Sequence, residues 1–332
     1  MEQPFVFGIP ADDPYFIGRE KEIKRLEANF KYGINTVLMS PRRWGKTSLV
    51  NRVAGMSAAK GFIERLTPKI GLSPDPGSDY YVSLGITPKT HSPEEVLSLP
   101  EKIAQRKGCE LVICIDEFQQ VGEFPDTLAV QKRLRSVWQN QKHVSYCLFG
   151  SRLHMMTRLF QKKSYPFYKF GEILNLEPIP LKAWIPYIQG RFEAYGKSIS
   201  DEYVAKICET VQYQSSYVQQ LSYSVLLLSE REVDEDSFAQ AVEDLLAQNN
   251  NVFIEQTQFL TTYQLNFLRA VMDGITTGFG EAEVREKYNL GSPSNITRLK
   301  NSMVDKELVE LTADGIILGD PVLKLWLKRV LS

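Results

Sequence analysis

The residues most able to do chemistry lie in one stretch, Ser40-Pro-Arg-Arg-Trp-Gly-Lys-Thr-Ser48, directly after the apolar run Thr36-Val-Leu-Met39. A buried strand running into a tight loop that opens a helix turns several backbone N–H groups toward one point. That point lies at the positive end of the helix dipole and suits a phosphate. At this spacing Lys46 can reach the β- and γ-phosphates of a nucleotide, and the Thr47 hydroxyl can ligate Mg²⁺. Arg43, Trp44, Gly45 and Ser48 complete the loop. The pattern is G-x-x-x-x-G-K-[ST] with Ser40 in place of the first glycine. The last four positions carry most of the chemistry, so the departure is modest.

A second constellation follows at Leu111-Val-Ile-Cys-Ile-Asp116-Glu117. Five apolar residues predict a fully buried parallel strand, and two carboxylates stand at its C-terminal end, where open α/β sheets bind ligands. Asp116 could hold Mg²⁺ and Glu117 could orient and deprotonate an attacking water. Alone, such a pair reads equally well as structural; beside a phosphate-binding loop it reads as a hydrolytic pair.

These groups need elements to position them. The chain has 332 residues, enough for two or three domains, and its 39 Lys and Arg nearly balance its 40 Asp and Glu. No global field therefore points to nucleic acid or acidic membranes. Cys109, Cys114, Cys147 and Cys208 show no C-x-x-C spacing and are expected to be reduced core thiols. His91, His143 and His154 are scattered, which argues against zinc. No apolar run approaches a bilayer span of ~20 residues, and Met1-Glu-Gln-Pro4 lacks the marks of a signal peptide. The expectation is a cytoplasmic protein without membrane insertion.

Along the chain, residues 4–10 read as a docked loop, and Ile23 and Leu26 place an amphipathic helix from Glu20. Residues 55–70 read as helix ending near Pro68, and Tyr80–Leu84 as one possible strand in a stretch rich in Gly, Pro, Ser and Asp. Ser92-Pro-Glu-Glu starts a helix that it or a successor continues to about Lys107. A helix over 128–139 and a buried strand over 144–149 follow, the latter closed by Gly150-Ser-Arg152. Residues 167–181 form a Pro-rich exit. Four helices are expected over 184–195, 201–211, 217–229 and 234–248. Beyond residue 261, three helices and a hairpin (308–311 and 315–318) make a winged helix.

Tyr15-Phe-Ile-Gly-Arg-Glu20 ahead of the phosphate-loop strand resembles the N-terminal box of AAA+ P-loop ATPases of the archaeal-ATPase and STAND type, relatives of origin-recognition ATPases. The resemblance covers nearly the whole chain. It implies an α/β P-loop NTPase core with a parallel sheet (1–180), an all-α lid domain (181–257) and a C-terminal winged-helix domain (258–332). It also implies ATP or ADP with Mg²⁺, adenine contact by Phe16, Ile17 and Gly18, a Walker B pair in Asp116 and Glu117, and γ-phosphate sensing by Ser151 or Arg152. In that family a strand and another helix follow the P-loop helix. No apolar run fits them between Ala54 and Phe62, so either that unit is trimmed in this protein or residues near Gly55 are missing from the chain, the second being the expectation. Relatives carry Gly-x-Pro at the third lid helix, where this chain has Gln214-Ser-Ser-Tyr217. Arg158 could act as an arginine finger in a homo-oligomer or stand as a surface residue.

The implied activity is Mg-dependent ATP hydrolysis coupled to movement of the lid and winged helix. A non-hydrolysing, nucleotide-locked binding module and a DNA-binding regulator remain as alternatives, with a small-molecule kinase less favoured. Asn295, Thr297, Arg298, Lys300 and Asn301 could face a DNA groove. Residues 261–332, however, hold nine Lys/Arg against nine Asp/Glu, so the module lacks the charge that dominates DNA affinity. A protein partner is the other expectation for that domain.

Overall fold

The computed structural model describes residues 3–59, 92–312 and 314–331. Its first helix, α1 (Glu20–Lys31), has acids in the first turn and Lys31 in the last, matching the helix dipole. Its apolar side buries Leu26 and Phe30. Strand β1 (Thr36–Met39) is buried throughout and feeds α2 (Lys46–Ala59). α2 passes through Gly55 without a break. The helix end near Pro68 and the strand expected at Tyr80–Leu84 lie outside the described residues.

Ser92 and Glu95 form a reciprocal capping box for α3 (Pro93–Leu97). Pro100 then sits in the first turn of α4 (Leu99–Lys107), so the expected helix is two short ones. Next come β2 (Leu111–Ile115), a 3₁₀ turn (Phe118–Glu123), α5 (Thr127–Trp138), β3 (Val144–Gly150), α6 (Leu153–Gln161) and β4 (Glu172–Asn175). The four strands are parallel in the order β2-β3-β1-β4. Thus β3 inserts between the strand that leads to the phosphate loop and the strand that ends in Asp116.

Two details correct the sequence reading. Residues 167–181 are more than an exit, because they contain β4. Only Ile173 and Leu174 are apolar in β4, so pairing with β1 defines it more than its own pattern does. And β2 is not fully buried: among the described residues it is an edge strand with Cys114 exposed, while Cys147 and Cys208 are buried and Cys109 is half-buried.

Gly171, at the entry to β4, shows how closely the chain is seated. A Cβ there would lie 2.3 Å from the Asn35 carbonyl oxygen, the same oxygen that accepts from Glu172 N at 2.8 Å. Neither backbone segment can yield cheaply. Gly171→Ala is expected to cost about 1–3 kcal/mol, read as a lower urea midpoint at unchanged slope.

The remaining helices are α7 (Leu181–Glu193), α8 (Asp201–Thr210), α9 (Ser215–Leu228), α10 (Glu235–Thr257), α11 (Thr262–Met272), α12 (Ala282–Lys287) and α13 (Pro293–Asp305). A hairpin of β5 (Val309–Thr312) and β6 (Gly315–Leu318) follows, then α14 (Pro321–Leu331). α10 runs nine residues past its expected end at Gln248 and carries α14 on its flank. One apolar cluster joins lid helices and winged helix, from Trp184, Leu221 and Leu245 through Phe253 to Phe267, Leu299 and Trp326. Separate clusters cover the two faces of the sheet. The lid and the winged helix therefore form one packed body set against the sheet. No described helix is long and apolar enough to cross a membrane.

Candidate functional site

The phosphate loop takes its shape from two residues with left-handed backbone, Arg43 (φ +66°) and Gly45 (φ +79°). Glycine adopts that region freely, whereas for arginine it costs energy that the surroundings must supply. Those surroundings come from the lid. Ser216 N donates to the Arg43 carbonyl at 3.2 Å, and the Arg43 guanidinium stacks 4.2 Å over the Tyr217 ring while pairing with Asp320.

Lys46 is 7% exposed. Its Nζ donates to the carbonyls of Ser40 and Pro41, both at 2.8 Å, and to Ser40 Oγ at 3.3 Å. Ser40 thus supplies two acceptors in the place where the motif has a glycine. Burial lowers the Lys46 ammonium to about 8, with Glu117, Asp116 and Glu310 pulling it back up. A desolvated cation of this kind gains most when an anion arrives.

The two sequence constellations meet in space. Thr47 Oγ1 donates to Asp116 Oδ2 at 3.0 Å, as a hydroxyl and a carboxylate would stand if both served one cation. Burial also raises the Asp116 carboxyl, against hydrogen bonds from Glu117 N and Thr47. Glu117 sits at φ +49°, and its carboxylate accepts from Ser151 Oγ at 3.1 Å to each oxygen and from the Gln119 amide.

These groups line a cavity of about 390 Å³. Phe16, Ile17, Arg43, Trp44, Gly45, Lys46, Thr47, Ser48, Asp116, Glu117 and Ser151 are all in its wall. Two of the sequence candidates are not. Gly18 (φ +62°) is turned toward Ile179 and Ala183, and the Arg152 guanidinium points to Glu123 and Glu307. Arg158 is exposed against the Tyr165 ring.

Sequence reasoning missed the N-terminal arm. Residues 6–11 form one side of the cavity, held by Val6 N on Gln219 Oε1 at 3.1 Å and Ala11 N on Ser48 Oγ at 2.9 Å. Its signal was present in the apolar, Gly- and Pro-broken run 4–10, which is too long to be a simple tail. Ser215 and Ser216, at the start of α9, also line it.

The cavity also holds unspent hydrogen-bonding capacity. Trp44 Nε1, Trp184 Nε1 and Ser215 Oγ are buried in its wall without partners. Buried donors left unpaired are costly, and these three belong to residues around one cavity. An apolar flank (Phe16, Ile17, Ile179), a cationic loop and a hydroxyl–carboxylate pair together match a nucleotide with its divalent cation.

Comparison with known proteins agrees on the fold. A family model described as a probable winged helix domain matches residues 251–329. No curated protein matches the chain. Among solved structures, a Walker-type ATPase of Pyrococcus abyssi superposes with a TM-score of 0.74 at 15% identity, over 98% of this chain and 100% of the other. The ORC2 protein of Aeropyrum pernix, in its ADPNP–ADP complexes, superposes with a TM-score of 0.56 at 15% identity, over 96% of each chain. The chain therefore has the fold of the Walker-type P-loop ATPases, an α/β core followed by helices and a C-terminal winged helix.

Proposed function

We propose that this protein binds ATP and ADP with Mg²⁺, hydrolyses ATP, and works as a nucleotide-dependent switch whose output is the position of the lid and winged helix. The observation that carries this reading is the junction of Lys46, Thr47, Asp116 and Glu117 in one cavity. Divisions at 1–180, 181–257 and 258–332 describe the core that holds nucleotide, the lid and the output module. Similar folds in the Pyrococcus abyssi ATPase and in Aeropyrum pernix ORC2, solved with ADPNP and ADP, support the choice of ligand.

Phe16 and Ile17 flank the base. Loop amides from Trp44 to Ser48, with Arg43 and Lys46, hold the phosphates and neutralise their charge. Thr47 and Asp116 hold the metal, and bound Mg²⁺ supplies charge neutralisation at the phosphate oxygens. Glu117 takes a proton from water as that water attacks, and Ser151, already on Glu117, senses the γ-phosphate position. Arg152, next to Ser151, is held by Glu123 of the core and Glu307 of the winged helix, so it reaches the γ-phosphate only after leaving both. A DNA or protein partner at the winged helix, and assembly into a homo-oligomer, belong to the output side of this proposal.

The reading has a pH signature. In the free protein Lys46 loses its proton near pH 8, and a bound phosphate favours the ammonium. Affinity for ATP is therefore expected to be level below about pH 7.5. It then falls as pH rises through 8, by up to ~10-fold per pH unit. Calorimetric titration at pH 7.0 and 9.0, in buffers of different ionisation enthalpy, tests this. Binding at pH 9.0 should take up close to one proton, and binding with no proton uptake would remove Lys46 from the phosphate site.

A further inference from the structure

In the phosphate loop, Arg42 and Arg43 are already matched by carboxylates, and those carboxylates come from the winged helix. Glu307 Oε2 lies 2.6 Å from Arg42 Nη2, and its other oxygen pairs with Arg152 Nε. Asp320 pairs with Arg43 and accepts from Tyr217 Oη at 2.7 Å. Glu310 is the third: it lies over Gly319, whose added Cβ would fall 3.2 Å from Glu310 Cγ. From there it faces the same gap as Arg42 and Arg43. All three acids lie within residues 307–320, on or beside the β5–β6 hairpin.

We infer that Glu307, Glu310 and Asp320 form an intramolecular acidic clamp that competes with the nucleotide's phosphates for Arg42 and Arg43, so that ATP binding and winged-helix docking oppose each other. The inference rests on the nucleotide-site reading above and adds how that site is regulated.

Four observations carry it. First, Arg42 and Arg43 line the nucleotide cavity beside Asp116 and Glu117, yet Arg42 is held by Glu307 and Arg43 by Asp320, so a triphosphate must compete with those carboxylates for the same cations. Second, Glu307 is fixed in place by the fold of the winged helix itself: it stands at φ +59° as the left-handed cap of α13, with its N–H on the Val304 carbonyl and Leu308 N on the Met303 carbonyl, so docking the wing brings its carboxylate to Arg42 and Arg152.

Third, the interface is poorly filled. A gap of about 80 Å³ remains between Arg42, Arg152, Leu153 and His154 on one side and Glu307, Val309 and Glu310 on the other. Charge, more than apolar burial, holds the wing here. Fourth, the winged helix shares its core with the lid, and Trp326 Nε1 bonds Asn250 Oδ1 on α10 at 2.9 Å. Breaking the clamp would therefore move both as one body. Burial also pushes the Glu310 carboxyl up to about 7, which agrees with a carboxylate short of partners while docked.

By linkage, weakening the clamp raises the fraction of the binding-competent state and tightens apparent nucleotide affinity, by at most the factor by which docking is weakened. The test uses the full chain as wild type, Glu307→Gln and Glu307→Gln/Glu310→Gln, near-isosteric changes that leave Asp320 to cap α14. Fluorescent ATP-analogue titration gives affinity, and small-angle scattering without nucleotide gives the radius of gyration. The expected result is affinity at least 10-fold tighter in the double variant, with the single variant between. The double variant's radius should also be larger without nucleotide, and equal to that of ATP-loaded wild type. Unchanged or weaker affinity in the double variant, beside a wild type that does bind, overturns the clamp and leaves the nucleotide site standing. If no form binds nucleotide, the site reading falls and the clamp falls with it.

Discussion

Lys46→Ala is expected to abolish measurable ATP and ADP binding, weakening it at least ~100-fold, or about 3 kcal/mol. The Lys46 ammonium is buried, bonded to Ser40 and Pro41 carbonyls, and aimed at the loop's centre. Losing it removes the deepest positive charge in the cavity and leaves Asp116, Glu117 and Glu310 to repel the phosphates. The same change should not unfold the protein. Burial disfavours the charged form of Lys46, so the folded state gains stability as pH rises from about 8 toward the unfolded value near 10.5. Removing the group relieves that penalty and loses only internal bonds to carbonyls. Equilibrium titration beside thermal melting should show binding lost and melting temperature kept. Loss of both would mean that Lys46 serves the fold more than the phosphate.

Glu117→Gln should separate binding from turnover. The carboxylate accepts from Ser151 and Gln119, and Gln preserves shape and one acceptor while losing the proton-accepting role. Hydrolysis is expected to fall ~10²- to 10⁴-fold, with ATP affinity changed no more than about threefold. Single-turnover hydrolysis with parallel binding measurements makes the comparison. Equal loss of affinity and rate would place Glu117 among the groups that hold the cation, beside Asp116.

How much of this was legible in the sequence follows from where each signal is local. The loop Ser40–Ser48 and the pair Asp116–Glu117 each sit at the end of an apolar run, so residue order alone puts them at strand ends. Their meeting through Thr47 and Asp116 follows from the parallel sheet. β4 was not legible, since Glu172-Ile-Leu-Asn175 has two apolar residues and gains its burial from β1. The incomplete burial of β2 is likewise a matter of neighbours: Leu111–Ile115 reads as core, yet Cys114 is exposed among the described residues.

The wing acids illustrate the limit best. Glu307 and Glu310 fall in a pattern that reads as an ordinary amphipathic hairpin, and Asp320 as a helix cap. The pairing of Glu307 and Asp320 with Arg42, Arg43 and Arg152 spans more than 150 residues of chain, and no periodicity encodes it. The balanced charge of residues 261–332 did carry a hint. A module whose acids face the phosphate loop has less basic surface to offer DNA than its helix count suggests.

Steady-state phosphate release from ATP with Mg²⁺ by the wild-type chain, beside Lys46→Ala and Glu117→Gln, tests the central claim most directly. The account predicts release by wild type that depends on Mg²⁺ and is lost in both variants, with Glu117→Gln still holding ATP. Wild type that binds ATP but releases no phosphate would contradict hydrolysis and leave a nucleotide-locked binding module.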